Sequence, residues 1–220
     1  NVSIRGGARV EIKGVQELEI IDEYVKREVM RQQGLLEIRK ALAGRGLGNA
    51  NLAFEPVDLT DAFAKTGSGI LKGALAKGGR VFGMRLEKFG GIIGKELQPG
   101  RRLGTEFADY VKTKAGLKGI FHSDELPNYG ITQEEAGAAA AHLGCRDKDA
   151  FVMVAASEEK SLRALRVVFA RAQQCMEGVP EETRGAVEGG NTEYLRPLPG
   201  AARMYPETDI GPVAVDAEMM

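Results

Sequence analysis

Four polar residues near the beginning of the chain are of types that can hold a Mg²⁺–phosphate ligand. They alternate with apolar residues over residues 1–14, and a Gly-Gly pair divides this segment, so the pattern predicts a β-hairpin. The polar face of the hairpin consists of Asn1, Ser3, Glu11 and Lys13. A carboxylate, an ammonium group and two neutral hydrogen-bonding groups can together bind such a ligand. An ordinary solvated sheet face has the same pattern, so both interpretations stay open.

The parity of the apolar residues predicts the register of this hairpin. Its apolar face consists of Val2, Ile4, Val10 and Ile12. These residues share one face if Ile4 pairs with Val10, and this pairing places Arg5 opposite Arg9. Like charges directly opposite each other are unfavourable. We therefore expect either that an anion lies between the two arginines or that their solvated side chains splay apart.

A proline-rich segment, residues 196–210, supplies a second set of charged groups. Each of its three prolines removes a backbone donor and fixes φ, which excludes regular secondary structure. The segment is also too apolar to be a solvated linker. Its charged side chains include Arg196, Arg203, Glu207 and Asp209. The sequence predicts a rigid segment that either lines a polar site or packs on a core as an ordered loop.

A basic segment, residues 77–118, contains ten Lys and Arg residues against four Asp and Glu residues. Arg101 and Arg102 stand just before a predicted helix start near Thr105, where free backbone amides favour anions. Together with Lys95 they are the candidates for contacts with a nucleic-acid backbone. Surface charge without a partner explains the segment equally well, since few aromatic residues accompany it.

The bulk properties narrow the class of protein. The 220 residues carry a net charge of −1, so no global basic excess indicates a nucleic-acid binder. The two cysteines, Cys145 and Cys175, favour a reducing cytoplasm. No apolar run approaches the roughly 20 residues that span a bilayer. Because the chain begins at Asn1 inside a strand pattern, we expect it to be part of a longer protein.

The familiar catalytic motifs are absent from the sequence. It contains no Walker A motif, Rossmann fingerprint, nucleophile elbow or paired-cysteine motif. His122 stands close to Asp124 and Glu125, and His142 precedes Cys145 by three residues. A zinc site needs more ligands at a closer spacing, so both groups are interpreted as structural.

Helical and strand periodicities predict an α+β fold. A long amphipathic helix is predicted over residues 17–42, with an apolar stripe of Leu18, Ile21, Val25, Val29 and Leu36. A helix over about 58–76, broken by its Gly-rich spacing, follows a linker. The remaining predicted strands are 80–86, 118–122 and 151–155, and the remaining helices are about 105–114, 133–143 and 158–177. A capping box at Thr132 and Glu135 begins one helix, and Gly144 and Gly178 end two.

Four longer segments resemble the E-subunit family of archaeal glutamyl-tRNA(Gln) amidotransferases. They are residues 1–14, 94–102, 119–127 and 196–210. The middle of the chain is also similar to the insert domain of bacterial aspartyl-tRNA synthetases. Residues 1–42 and 203–212 resemble the catalytic cradle that the B and E amidotransferase subunits share.

The resemblance implies three parts and a fold class. Residues 1–57 are the C-terminal part of the cradle, with the hairpin and the long helix. Residues 58–195 are the inserted α+β domain, with a mostly antiparallel sheet covered by helices. Residues 196–220 are a proline-rich segment that returns to the cradle.

The resemblance also implies a reaction. Glu-tRNA(Gln) is converted to Gln-tRNA(Gln): ATP phosphorylates the glutamyl carboxylate, and ammonia from the asparaginase-like D subunit, the partner, then displaces the phosphate. ATP and Mg²⁺ are the implied cofactors. The implied catalytic group is Glu11, Lys13, Ser3 and Arg5, with Glu11 also a metal ligand. The implied cofactor-binding group is Asn1, Arg203, Glu207 and Asp209. The alternative is a non-catalytic module that binds tRNA or protein through the insert.

The chain departs from the family pattern in ways that limit its activity. The first part of the cradle, with further metal ligands, and the later helical and tail domains are absent, and Gly211 stands where proline is expected. One glutamate is not enough to hold a catalytic Mg²⁺. We therefore expect the 220-residue chain alone to be inactive.

Overall fold

The computed structural model describes residues 1–48 and 52–198, which form an α+β fold. The α-helices are α1 (Ile21–Gly44), α2 (Gly69–Leu75), α3 (Leu103–Ala115), α4 (Gln133–His142) and α5 (Glu158–Glu177). The strands are β1 (Val10–Lys13), β2 (Pro56–Asp58), β3 (Arg80–Leu86), β4 (Glu96–Gln98), β5 (Arg101–Arg102), β6 (Phe121–His122), β7 (Ala150–Ala156), β8 (Glu182–Ala186) and β9 (Thr192–Pro197). In these described ranges no helix is both long enough and apolar enough to cross a bilayer.

Two sheets form the framework of the described chain. The larger sheet is antiparallel and has the strand order β2-β3-β7-β6. The smaller sheet has the order β1-β8-β9; β1 runs parallel to β8, and β9 runs antiparallel to it. Strands β4 and β5 form a separate antiparallel pair. Residues 182–197 thus share a sheet with residues 10–13, so the pairing crosses the domain boundary predicted at residue 195.

The larger sheet separates two hydrophobic cores because successive strand residues point to opposite faces. On one face, Phe82 and Val152 pack with residues of α1, α3 and α5. On the other face, Val81 and Met153 pack with residues of α2 and α4 and with Phe63. Helices therefore cover the sheet on both sides.

The local signals in the second half of the chain predict its elements well. The observed bounds of α5 are those predicted, and α3, α4, β3 and β7 differ from prediction by two residues or fewer at each end. The capping box of α4 is present: the Glu135 amide donates to Thr132 Oγ1 at 3.1 Å, and the Thr132 amide donates to Glu135 Oε2 at 2.8 Å. Gly144 and Gly178 follow α4 and α5 with positive φ.

The predicted hairpin register is wrong. Val10 exchanges two backbone hydrogen bonds with Val2 rather than pairing with Ile4. A turn closed by the Gly7 amide and the Ile4 carbonyl, with Gly6 at φ 79°, replaces the expected turn. Beyond the bridge at Val2, β1 pairs with β8, and this partner fixes its position. The predicted Arg5–Arg9 pair does not form.

Three further predictions are corrected. The expected broken helix over 58–76 does not start at Asp58, which ends β2: a 3₁₀ turn, Thr60–Phe63, follows, and the α-helix is limited to α2. The expected strand over 118–122 is limited to β6. The predicted apolar stripe of α1 is also not its buried face, since Leu18 is 70%, Ile21 46% and Val25 41% exposed.

Candidate functional site

The outer face of the smaller sheet carries two residues of the predicted site, Glu11 and Lys13, that contact each other. Val10 of β1 points inward and is fully buried, so Glu11 and Lys13 alternate to the outer side. The buried Thr183 hydroxyl of β8 donates to Glu11 Oε2 at 3.0 Å, and Lys13 Nζ lies 3.5 Å from Glu11 Oε1. Each carboxylate oxygen thus has one partner. Glu11 is held in a fixed orientation on an accessible face.

Thr183 is the residue of this group that the sequence analysis missed. It lies in β8, where Glu182 and Arg184 point inward and are fully buried. Thr183 is opposite Glu11 in the parallel register, which brings the two side chains to one face. Only the alternation of residues over 182–186 could have indicated this strand, and the charges of its inward residues conceal the pattern.

The structure places the other hairpin candidates at the edge of this site. Asn1, Ser3 and Arg5 are exposed, and none of them hydrogen-bonds to Glu11 or Lys13 within the described ranges. The Val2–Val10 bridge makes Asn1 the next residue in line with Glu11. Arg5 lies in the turn. The structure therefore brings Glu11 and Lys13 together but leaves the roles of the other three residues as predictions.

One predicted charged residue of the proline-rich segment lies on the same sheet. Arg196 of β9 is opposite Thr183, and directly opposed residues in an antiparallel pair share a face. Arg196 is exposed, so its guanidinium is available on the side that carries Glu11. The three other predicted residues, Arg203, Glu207 and Asp209, lie outside the described residues.

The described residues offer one carboxylate, not a complete metal cage. No three His, Cys, Asp or Glu residues of ranges 1–48 and 52–198 converge closely enough to hold a metal ion. Mg²⁺ commonly takes one or two carboxylates from a protein and completes its shell with phosphate and water oxygens. The free edge of the Glu11 carboxylate fits such a single contribution. ATP and Mg²⁺ remain predictions.

A cluster of buried charges, the buried ion cluster, lies behind this sheet. It consists of Glu28, Arg31, Glu106, Arg171, Glu182 and Arg184. Arg31 of α1 donates to Glu28 at 3.0 Å and also bonds Glu182 of β8. It bonds Glu106 of α3 as well, and Arg171 of α5 donates to Glu106 at 2.8 Å. Arg184 donates to Glu182 at 2.6 Å. Ion pairs of this cluster thus connect α1, α3 and α5 with one another and with β8.

The charges of this cluster compensate one another. Burial alone would raise the pKa of the Glu106 carboxyl, but Arg31, Arg184 and Arg171 outweigh burial and lower it. Burial opposes the charge of Arg31, yet the three surrounding carboxylates raise its pKa well above the usual value. Tyr110 donates its hydroxyl to Glu182, and its burial raises the pKa of the phenol. Glu106 and Arg31 therefore both stay ionised, and the ion pair of Arg31 with Glu182 joins α1 to the strand that carries Thr183.

The three candidates for nucleic-acid contacts differ in their availability. Arg101 forms an ion pair with the mostly buried Asp109, and Lys95 forms one with Glu37 at 2.7 Å. Arg102 is exposed and forms part of a polar cleft of about 560 Å³ at the start of α3. Of the three, Arg102 is the residue whose charge remains directed to solvent.

The two histidines behave as structural residues. His122 is buried between Gly104 of α3 and Glu125, whose Oε2 lies 3.5 Å from Nε2. Burial lowers the pKa of His122 more than Glu125 raises it. His142 Nδ1 lies 2.8 Å from the Ala138 carbonyl of its own helix. Neither arrangement has the form of a metal site.

Comparison with known proteins gives the family. Residues 71–165 match the GAD domain. The whole chain is 56% identical to the E subunit of glutamyl-tRNA(Gln) amidotransferase from Pyrococcus horikoshii, and the match covers 34% of that relative. The same subunit of Archaeoglobus fulgidus is 54% identical, with 34% of its length covered, and that of Methanocaldococcus jannaschii is 51% identical, with 35% covered. The chain spans about a third of the length of these relatives. With its whole length matched at this level of identity, it belongs to the E-subunit family of archaeal glutamyl-tRNA(Gln) amidotransferases.

Proposed function

We propose that the chain is part of a tRNA-dependent amidotransferase that converts Glu-tRNA(Gln) to Gln-tRNA(Gln). A free carboxylate is a poor acyl donor, so the glutamyl group is first phosphorylated by ATP. Ammonia from the D subunit, the partner, then displaces the phosphate. The names of the relatives support the reaction, and the oriented Glu11 carboxylate is the observation in this chain that supports a catalytic contribution.

The outer face of β1 and β8 would act through position and charge. Glu11 would contribute one oxygen to a Mg²⁺ ion, which neutralises phosphate charge when bound. Lys13 and Arg196 carry cations on the same sheet, where they would balance the charge of a phosphate. The buried Thr183 hydroxyl would keep the Glu11 carboxylate from rotating away.

Substitution of Glu11 in the complete subunit with its partner tests the catalytic contribution. Glu11→Gln keeps the size and the Thr183 contact but removes the charge. We expect transfer of the ATP γ-phosphoryl group to Glu-tRNA(Gln) to fall by at least about 100-fold, because the loss of a residue that only supports a metal ligand already costs about 10- to 100-fold. Glu17→Gln, an exposed glutamate before α1, is the matched control and should keep full activity. Phosphorylation at the normal rate by the Glu11 variant would refute the proposal.

The 220-residue chain alone is proposed to be inactive, because its described residues supply one carboxylate for the metal. The assay is Gln-tRNA(Gln) formation by the isolated chain with ATP, Mg²⁺ and ammonia. Turnover above the background without protein would overturn this expectation.

A second function class has a specific observation behind it. The GAD domain match covers residues 71–165, a region outside the Glu11 face, so the insert could bind tRNA or protein without taking part in catalysis. Under this alternative, the Glu11 variant retains phosphorylation while substitutions in the insert lower tRNA affinity. The same assays therefore separate the two functions.

A further inference from the structure

A half-exposed aromatic residue, Tyr129, stands between two clefts at the edge of the larger sheet. It lines both the polar cleft of about 560 Å³ that contains Arg102 and an apolar cleft of about 380 Å³. The apolar cleft is lined in part by Ile70, Phe121 and Ala155, with Lys118 among its lining residues. Ile70 is 60% and Tyr129 48% exposed, and because both line this one cleft they form an apolar patch at the surface.

The ring of Tyr129 is held in place rather than free to rotate away. Its backbone has φ 56°, a left-handed conformation that is rare for an aromatic residue. Phe121 packs edge to face on it, with ring centroids 5.8 Å apart. The hydroxyl donates to Glu125 Oε2 at 3.3 Å. A fixed, exposed ring beside an apolar cleft is a platform on which a flat group can stack.

The cleft also offers a backbone donor and acceptor from Ala155. The Leu59 amide bonds the Val81 carbonyl, so the backbone groups of Val81 point away from β7. Val81 is opposite Ala155, and the N–H and C=O of Ala155 must therefore point to the side of β6. In agreement, the Phe151 amide, two strand periods earlier, donates to Ser123 on that side.

No strand covers Ala155 on this side in the described part of the chain. The pairing of β6 with β7 ends at Phe121 and Met153, and residues 117–120 are not in a strand and form no pair with Ala155. The donor and acceptor of Ala155 therefore face the apolar cleft. A donor and an acceptor side by side match the pattern on the Watson–Crick edge of a nucleobase.

The charges that line the two clefts favour a phosphate at the apolar cleft over one at the polar cleft. The apolar cleft has the cation of Lys118 among its lining residues and no carboxylate. The polar cleft on the other side of Tyr129 combines Arg102 with three carboxylates, from Glu96, Asp124 and Glu125. A phosphate is repelled there. A ligand with a flat base and a phosphate would place the base in the apolar cleft and the phosphate near Lys118.

We propose that the Tyr129 cleft binds one unpaired nucleobase of an RNA. The base stacks on Tyr129, its edge bonds the N–H and C=O of Ala155, and its phosphate lies near Lys118. This inference rests on the proposed function, because tRNA is the RNA that the enzyme would meet. It assigns a base-binding role to the insert in place of the backbone contacts expected at Arg101 and Lys95.

The absence of Trp from the sequence provides a direct test. Tyr129→Trp gives the 220-residue chain a single Trp, whose fluorescence is quenched when a base stacks on it. The probes are single-stranded RNA hexamers of each base and an RNA duplex of the same length. We expect saturable quenching by a single-stranded hexamer and none by the duplex. Adding Lys118→Ala should weaken RNA binding. It should also reduce the slope of the logarithm of the binding constant against the logarithm of the salt concentration by about one, the value for one lost phosphate contact. Lys40→Ala on α1 is the matched control.

A second variant links the cleft to tRNA in the complete subunit with its partner. Tyr129→Leu keeps an apolar side chain without a ring and should weaken tRNA binding by about 5- to 100-fold, as for the loss of one stacked base. Tyr129→Phe should bind within about twofold of the unsubstituted protein. Amidation by the unsubstituted complex is measured in parallel, and its absence would refute the proposed function.

Each outcome has a definite meaning. If tRNA binds and is amidated but neither quenching nor the Tyr129→Leu loss is observed, the cleft proposal is wrong and the proposed function stands. If the Trp emission changes on addition of the partner protein and not of RNA, the open edge of β7 pairs with a protein strand, and the proposal is equally overturned. Quenching by single strands together with the ring-dependent loss supports it.

Discussion

At the scale of single residues, the orientation of the Glu11 carboxylate depends on one buried hydroxyl. Thr183 donates to Glu11 at 3.0 Å, whereas Lys13 approaches the other oxygen at 3.5 Å from an exposed position. A hydrogen bond to a charged group contributes about 1.5–3 kcal/mol, more than an exposed ion pair. Thr183 is therefore the residue that positions Glu11.

We predict that Thr183→Val in the complete subunit lowers the rate of glutamyl phosphorylation by about 10- to 100-fold, the loss of one such bond in the transition state. It should also raise the Mg²⁺ concentration required for half-maximal rate. Thr183→Ser keeps the hydroxyl and should restore both values. If Val leaves the Mg²⁺ dependence unchanged, Thr183 has only a structural role.

A second residue-scale prediction concerns Gly104 at the start of α3. A Cβ atom at this position would lie 2.4 Å from Nε2 of the buried His122. Relieving this contact requires His122 or α3 to move, so Gly104→Ala should lower the free energy of unfolding by about 1–3 kcal/mol. Gly137→Ala in α4 is the control, since a Cβ there has no neighbour within 4 Å.

The control variant Gly137→Ala should have a higher free energy of unfolding than the unsubstituted protein. Alanine is favoured over glycine in an exposed helix by up to about 1 kcal/mol, so this variant should be slightly stabilised. Urea unfolding curves of both variants provide the comparison. Equal stabilisation of the two would mean that His122 rearranges at no cost.

At the scale of secondary-structure elements, α1 shows why part of the fold could not be predicted from the sequence. Its buried face includes Tyr24, Glu28, Arg31 and Gln32, while the apolar Ile21 and Val25 face outward. Hydrophobic periodicity assigns charged residues to the surface. It fails here because ion pairs from α3 and β8 satisfy the buried charges, and these partners are distant in sequence.

The same limit applies to the candidate site. Glu11 and Lys13 were predicted because alternation along a single strand places them on one face. β8 was missed because Glu182 and Arg184, its inward residues, are charged. In contrast, α4 and α5 were predicted closely because caps and glycine stops are local in sequence. Local signals thus predict elements, and long-range charge pairing decides which faces are buried.

The element-scale prediction compares two arginines one turn apart on α1. Arg31 is fully buried and bonds three carboxylates, so Arg31→Met should lower the free energy of unfolding by about 3–5 kcal/mol. Arg27 pairs with Glu23 at 2.7 Å near the surface, and Arg27→Met should cost less than about 1 kcal/mol. Chemical denaturation provides both values. A similar cost for the two variants would show that the buried ion cluster is not a source of stability.

At the scale of the whole molecule, the buried ion cluster joins the segments on either side of the GAD domain match. Glu106 lies within residues 71–165, whereas Arg31, Arg171 and Arg184 lie outside that range. Their contacts connect α1, α3, α5 and β8 at one buried position. Stability of the whole fold, and not only of one element, should therefore depend on the ionisation of Glu106.

The pH dependence has a defined sign. Burial would raise the pKa of Glu106, but the three arginines lower it below the ordinary value of 4.5 in the folded protein. A carboxyl with a depressed folded pKa contributes stability that is fully present above the unfolded pKa and is lost as pH falls through the folded pKa. Asp109 acts oppositely, because burial raises its pKa despite the contact with Arg101. The ionisation of Glu106 by itself therefore contributes acid destabilisation below about pH 4.5.

Glu106→Gln should separate this contribution from general acid unfolding. The variant should be less stable than the unsubstituted protein at pH 7, and the difference should narrow as pH falls from 4.5 towards 2, because Glu106 of the unsubstituted protein then takes up a proton in the unfolded chain but not in the folded one, which favours unfolding. Asp22→Asn is the control: Lys26 lowers the pKa of the exposed Asp22, and salt screens this surface pair. Its effect should disappear in about 1 M salt, whereas that of Glu106→Gln should persist because the cluster is buried. Urea unfolding at several pH values and salt concentrations gives the free energy of unfolding of both variants. If the free energies of unfolding of Glu106→Gln and of the unsubstituted protein change in parallel with pH, folding is not linked to the ionisation of Glu106.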